Sequence, residues 1–148
     1  MSIRAARPDE RKALEALQRR SSMHEPMYRE QLAAEPDAIE LPAAQIDAGL
    51  VRVADLYGAL AGFSVLLEPA AGGCELDGLF VEPDRMRRGI GRLLIDDAVR
   101  IARSRGAQRI DVVANQQALA FYERMGFEYV GEAQTRFGPA PRMSLSLT

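Results

Sequence analysis

Residues 74–106 read CELDGLFVEPDRMRRGIGRLLIDDAVRIARSRG, and this stretch decides the fold. Its first eight residues, CELDGLFV, suit a strand that Glu82-Pro83 brings to an end. From about Ile90 to Arg105 the apolar residues Leu94, Ala98, Ile101 and Ala102 fall on one face of a helix, and Gly106 is its natural stop. Between strand and helix lies Met86-Arg87-Arg88-Gly89-Ile90-Gly91. Its glycines let the backbone approach a ligand closely. The helix N-terminus offers unpaired N–H groups and partial positive charge, and Arg87, Arg88 and Arg92 add full charge. Together these features suit a phosphate-bearing ligand.

Two well-known phosphate loops do not fit. A P-loop needs Gly-Lys-Ser/Thr, whereas Gly91 is followed by Arg92-Leu93. A dinucleotide fingerprint needs a third glycine where Leu94 stands, and the acid about 20 residues on, Asp111, falls inside a strand pattern rather than at its end.

Working outward, residues 108–113 (QRIDVV) predict a central strand with apolar residues on both faces. Residues 116–125 predict a helix stopped by Gly126, and 127–133 and 142–147 the last two strands, joined by a loop TRFGPAP. Upstream, 50–55 and 59–67 predict a hairpin turning at Tyr57-Gly58. Residues 2–7 predict a first strand. A helix follows from Pro8 to Arg20 with Ala13, Leu14 and Leu17 as its apolar stripe. A second helix is expected over 25–34 and a short one from Pro42 to Ala48. The fold class is α/β: a mixed sheet with helices on both faces, and with ligands expected at the strand-to-helix turns.

Composition narrows the function. The 148 residues, 47% hydrophobic and 27% charged, fit one globular domain spanning 1–148. The formal net charge is −2, yet residues 85–109 carry eight arginines against Asp96 and Asp97. This local field suits one anionic site rather than a nucleic-acid coat, which the absence of tryptophan and the scarcity of aromatics also disfavour. Cys74 is the lone cysteine, so no internal disulfide forms; with no base partner in evidence it reads as a small strand hydrophobe. His24 is the only histidine and reads as a surface residue, and no metal site is expected. No apolar run approaches the roughly 18 residues of a membrane span. The opening MSIRAARPDERKAL lacks the apolar core of a signal peptide, so the expectation is a cytoplasmic protein with no membrane partner.

Three runs in order, Leu79-Phe80-Val81-Glu82-Pro83, then MRRGIG, then Asn115-x-x-Ala118-x-x-Phe121-Tyr122-Glu123-Arg124-Met125-Gly126-Phe127, resemble the GNAT superfamily of acyl-CoA-dependent N-acyltransferases. The resemblance covers residues 50–133, and the order of elements agrees from Ser2 to Leu147. The family loop is Gln/Arg-x-x-Gly-x-Gly/Ala, from which Met86 departs at the first position.

The resemblance implies a mostly antiparallel sheet of about seven strands whose fourth and fifth run parallel and splay apart. It implies acetyl-CoA as donor and a primary amine of a small molecule, peptide or protein as acceptor, attacking directly in a ternary complex. No metal takes part. The backbone of Leu79, Phe80 and Val81 would bond the pantetheine amides. Met86, Arg87, Arg88, Gly89, Ile90, Gly91 and Arg92 would hold the pyrophosphate, and Asn115, Ala118, Phe121 and Tyr122 would line the donor side. Tyr122 corresponds to the family tyrosine near the thioester sulfur, a proton donor to the leaving thiolate. The acceptor ammonium must lose a proton before it attacks. Glu75, then Asp77, is the candidate base, alone or through water; both share the parity of Leu79 and Val81. The acceptor regions would be residues 24–28, 39–48 and 136–142. There Glu25, Glu40 and Asp47 could draw a cationic amine, and Tyr28 and Phe137 could wall it. The alternative is a non-catalytic acyl-CoA-binding sensor, and either protein could be a monomer or a homodimer.

Overall fold

A computed structural model describes residues 1–23 and 39–148. The expected helix over 25–34, and with it His24, Glu25 and Tyr28, lies outside the described residues. The strands are β1 (Ser2–Ala5), β2 (Val51–Leu56), β3 (Ala59–Leu66), β4 (Gly73–Val81), β5 (Arg109–Val113), β6 (Glu128–Thr135) and β7 (Gly138–Ser146). The helices are α1 (Arg11–Met23), α2 (Ala43–Asp47), α3 (Ile90–Ser104) and α4 (Leu119–Arg124). Short 3-10 turns at Pro8–Glu10, Pro83–Arg85 and Gln116–Ala118 precede α1, α3 and α4.

The strands form one seven-stranded mixed sheet in the order β1-β2-β3-β4-β5-β7-β6. The pairs β1–β2, β2–β3, β5–β7 and β6–β7 are antiparallel, and β4 and β5 run parallel. The β4–β5 ladder covers only Gly73–Leu76 against Arg109–Val112, so it stops five residues before β4 itself ends at Val81. By contacts the chain divides into two compact units, Met1–Val65 with Gly78–Leu94, and Leu66–Asp77 with Ile95–Thr148.

In the first unit, α1 turns Leu14 and Leu17 fully inward, and each buried leucine contributes about 1.5–3 kcal/mol. Ala13 is exposed, so the buried stripe is narrower than expected. The β2–β3 hairpin closes on two residues, Tyr57 and Gly58, with φ of 52° and 94°, the type I′ geometry that matches strand twist. Asp55 Oδ1 accepts the Gly58 N–H at 2.7 Å. Ile90 and Leu94 of α3 pack on Ala54 and Ala61, with Leu79 and Val81 against the same cluster. Gly62 sits where a Cβ would meet the Phe80 carbonyl oxygen at 2.7 Å, so only glycine lets β3 run this close to the end of β4.

In the second unit, Cys74, Leu76, Ile110, Val112 and Met143 are buried from alternate positions of β4, β5 and β7. The opposite face carries Glu75, Arg109, Asp111 and Arg142, all half-buried. β5 is central by pairing, as expected, but apolar chiefly on one face. The expected TRFGPAP loop is mostly strand: β6 and β7 meet at a two-residue turn, Arg136-Phe137, with Thr135 opposite Gly138.

Candidate active site

The first unit holds the glycine loop. Leu79 and Val81 point into the core, while Phe80 lies against Phe63 with ring centroids 5.2 Å apart. The chain leaves the strand at Glu82, whose N–H donates to the Ala61 carbonyl at 2.9 Å. It makes the 3-10 turn Pro83–Arg85 and reaches the loop. Arg87 and Gly89 both adopt positive φ, 65° and 82°. No atom lies within 4 Å of where a Gly89 Cβ would stand, so the ground above this residue is open. The first helical bond of α3 runs from the Leu93 N–H to the Gly89 carbonyl. The N–H groups of Ile90, Gly91 and Arg92 therefore have no acceptor within the helix. Arg87, Arg88 and Arg92 are exposed around them, and Met86 is half-buried.

The sequence gives no direct sign of one contact here. Arg20, in the last turn of α1, forms a two-pronged ion pair with Glu82 at 2.7 and 2.8 Å. It ties the helix to the residue that starts the turn into the loop and holds the Glu82 carboxyl below its usual range. Such a pair, 62 residues apart, leaves no periodic trace in the chain.

The second unit holds the titratable groups. Tyr122 is buried and sits edge-on to Phe121 and Phe127 at 5.2 and 5.3 Å. Burial alone pushes its phenol up. Asn115 caps the turn before α4, its Oδ1 accepting the Ala118 N–H at 2.8 Å. Ala118 and Phe121 are half-buried. Glu75 faces Asp111 across the β4–β5 ladder and receives Arg142 NH1 at 3.4 Å. Its carboxyl is pushed up, chiefly by burial. Asp77 is exposed. Among the described residues no group of three or more His, Cys, Asp or Glu is arranged to hold a metal ion. No helix there is long and apolar enough to cross a membrane.

The β4–β5 pair thus runs parallel for four residues, and β4 leads on through a glycine turn to the N-terminus of α3. The chain belongs to the Acetyltransferase (GNAT) family, which it matches over residues 13–127. It is 36% identical over 62 residues to the peptidyl-lysine N-acetyltransferase YjaB of Salmonella typhimurium, covering 42% of this chain and 41% of that protein. It is 36% identical over 100 residues to the mycothiol acetyltransferase of Propionibacterium freudenreichii subsp. shermanii, covering 64% of this chain and 31% of that protein. The chain thus spans between a quarter and about two fifths of the curated relatives it matches. The fold matches the crystal structure of the PaiA N-acetyltransferase from Thermoplasma acidophilum in complex with coenzyme A. The TM-score is 0.79 at 21% identity, covering 98% of each chain.

Proposed function

We propose that this chain transfers an acetyl group from acetyl-CoA to a primary amine. The amine nitrogen attacks the thioester carbonyl, the carbon–sulfur bond breaks, the thiolate gains a proton and the amine loses one. The observation that carries this reading is the glycine loop: N–H groups at the start of α3 with no acceptor within the helix, open space above Gly89 and exposed arginines beside it. That is a cradle for a pyrophosphate. In this reading Met86–Arg92 take the phosphates, and the backbone of Leu79, Phe80 and Val81, beyond the end of the β4–β5 ladder, takes the pantetheine amides. Asn115, Ala118 and Phe121 belong to the donor side.

Glu75 is the preferred base and Asp77 the second. Partial burial raises the Glu75 carboxyl and so makes its carboxylate a stronger proton acceptor. Tyr122 supports the leaving thiolate. A thiol's usual pKa is near 8.5, well below that of a buried phenol, so the main gift of Tyr122 is a hydrogen bond to the developing thiolate. We read the 1–148 chain as one cytoplasmic acetyltransferase domain, monomeric or homodimeric, acting on a small-molecule, peptide or protein amine without metal or nucleic acid.

The test is release of free coenzyme A thiol from acetyl-CoA with a panel of amines: a lysine peptide, glucosamine 6-phosphate and an aminoglycoside. Amine-dependent release with a matching mass gain of one acetyl group supports the proposal. Tight acetyl-CoA binding with no turnover on a broadened panel would instead identify a sensor.

A further inference from the structure

We propose that Arg142 is the positioning residue for Glu75, a guanidinium that reaches across β5 to hold the half-buried carboxylate in place. The proposal rests on the reading of Glu75 as the acceptor's base. Strand register puts Glu75 of β4 opposite Asp111 of β5, and Asp111 opposite Ser144 of β7. Arg142, two residues before Ser144, shares that face of the sheet one row along, opposite Val113. From there it reaches across β5 to bring NH1 within 3.4 Å of Glu75 Oε1.

The charged groups that face Glu75 among the described residues are few. Its own strand contributes Asp77, β5 contributes Asp111 and Arg109, and β7 contributes Arg142. On the side towards β3 the neighbour is Leu67, whose N–H donates to the Glu75 carbonyl. Three carboxylates therefore share this face with two guanidiniums, and one guanidinium is committed elsewhere. Arg109 gives Nε to Asp111 Oδ2 at 3.0 Å and NH1 to the Ala71 carbonyl at 3.1 Å. That leaves Arg142 for Glu75. Burial, Asp111 and Asp77 all favour the neutral acid, and Arg142 opposes them. A base that holds its proton cannot take another, so removing Arg142 shifts the lower pH limit of Glu75's working range upward. Arg142 stands on β7 opposite Gly131 of β6, so the β6–β7 hairpin carries the residue that positions the base.

The test reads Glu75 directly. In the full chain carrying carboxyl-13C glutamate, NMR titration follows the Glu75 resonance, assigned by its loss in Glu75→Gln. Arg142→Gln should raise its midpoint by about one pH unit, a tenfold change in protonation equilibrium, and Arg142→Lys should restore most of that. The Arg142 side chain is 42% exposed, so both variants should fold, which thermal melts verify. On the best amine of the panel, the acid limb of kcat/KM should move up by the same amount. An unchanged Glu75 midpoint in Arg142→Gln overturns the proposal. A midpoint that moves while the acid limb stays in place supports the pairing and overturns the base assignment.

Discussion

Burial raises the pKa of both Tyr122 and Glu75, with opposite consequences for chemistry. It holds the phenol neutral, so Tyr122 is always in its hydrogen-bond-donating form, whereas it strengthens the carboxylate as a proton acceptor. Tyr122→Phe keeps the edge-on packing with Phe121 and Phe127 and removes only the hydroxyl. Steady-state kinetics should show kcat falling about 10²-fold with acetyl-CoA affinity unchanged. A wild-type kcat, with chemistry limiting turnover, would reduce Tyr122 to packing. Glu75→Gln should slow turnover near neutral pH, and the deficit should shrink as pH rises and the amine sheds its proton unaided. A deficit constant across a pH–rate profile counts against Glu75. Both candidates are readings of the sequence, Tyr122 through the Phe121–Phe127 run and Glu75 through its place on the strand. Arg142 falls there only within the 136–142 acceptor region: its link to Glu75 crosses an intervening strand, and only the register reveals it.

At the scale of elements, the strand–loop–helix unit was legible because glycine spacing and helical periodicity are local properties. Its tightest constraint was not. Gly62 lies in another strand, and its need for glycine comes from the Phe80 carbonyl 2.7 Å from any added Cβ. Gly62→Ala must push β3 or Phe80 aside. Calorimetry should show weaker acetyl-CoA binding and thermal melts a loss of about 1–3 kcal/mol, within the range for overpacking. Gly89→Val meets no atom but is strained by its positive φ, and its branched side chain would cover the N–H groups of α3. Calorimetry should find acetyl-CoA binding lost while circular dichroism stays native. The β6–β7 hairpin shows why the chain misleads. Pro139 and Pro141 argue for a loop, yet standing two apart they turn their nitrogens to the same edge of β7. β5 pairs with that strand only from Arg142 onward, so neither proline removes a hydrogen bond from the β5–β7 ladder.

For the molecule as a whole, charge is more paired than the arginine-rich segment implies. Arg100 meets Asp97, Arg105 meets Glu68 and Arg109 meets Asp111, so three of the eight arginines are balanced locally, while Arg87, Arg88 and Arg92 stand exposed beside the loop. Near the N-terminus Arg4 holds Glu10 through two bonds of 3.0 and 2.8 Å, and Asp55 through a third. Glu10, Asp55 and Glu82 all have carboxyls held below their usual range by arginine or backbone partners. Carboxyls lowered by folding stabilise the native state above the unfolded pKa, and that stability is lost as pH falls through the folded value. Urea midpoints should therefore drop from about pH 4.5 downward. Glu10→Gln should lower stability at pH 7 and flatten that acid slope, and an unchanged slope would mean the Arg4 cluster is not its source.

Cys74 has a practical consequence for assays. It is fully buried at the start of the β4–β5 ladder, paired in register with Ile110, and burial pushes its thiol up. A disulfide dye that detects released coenzyme A should therefore find no background from the native protein, and one equivalent of thiol once the chain unfolds. The same reagent becomes two instruments: a turnover counter while the protein is folded, and a stopwatch for the opening of the parallel strands when it is not.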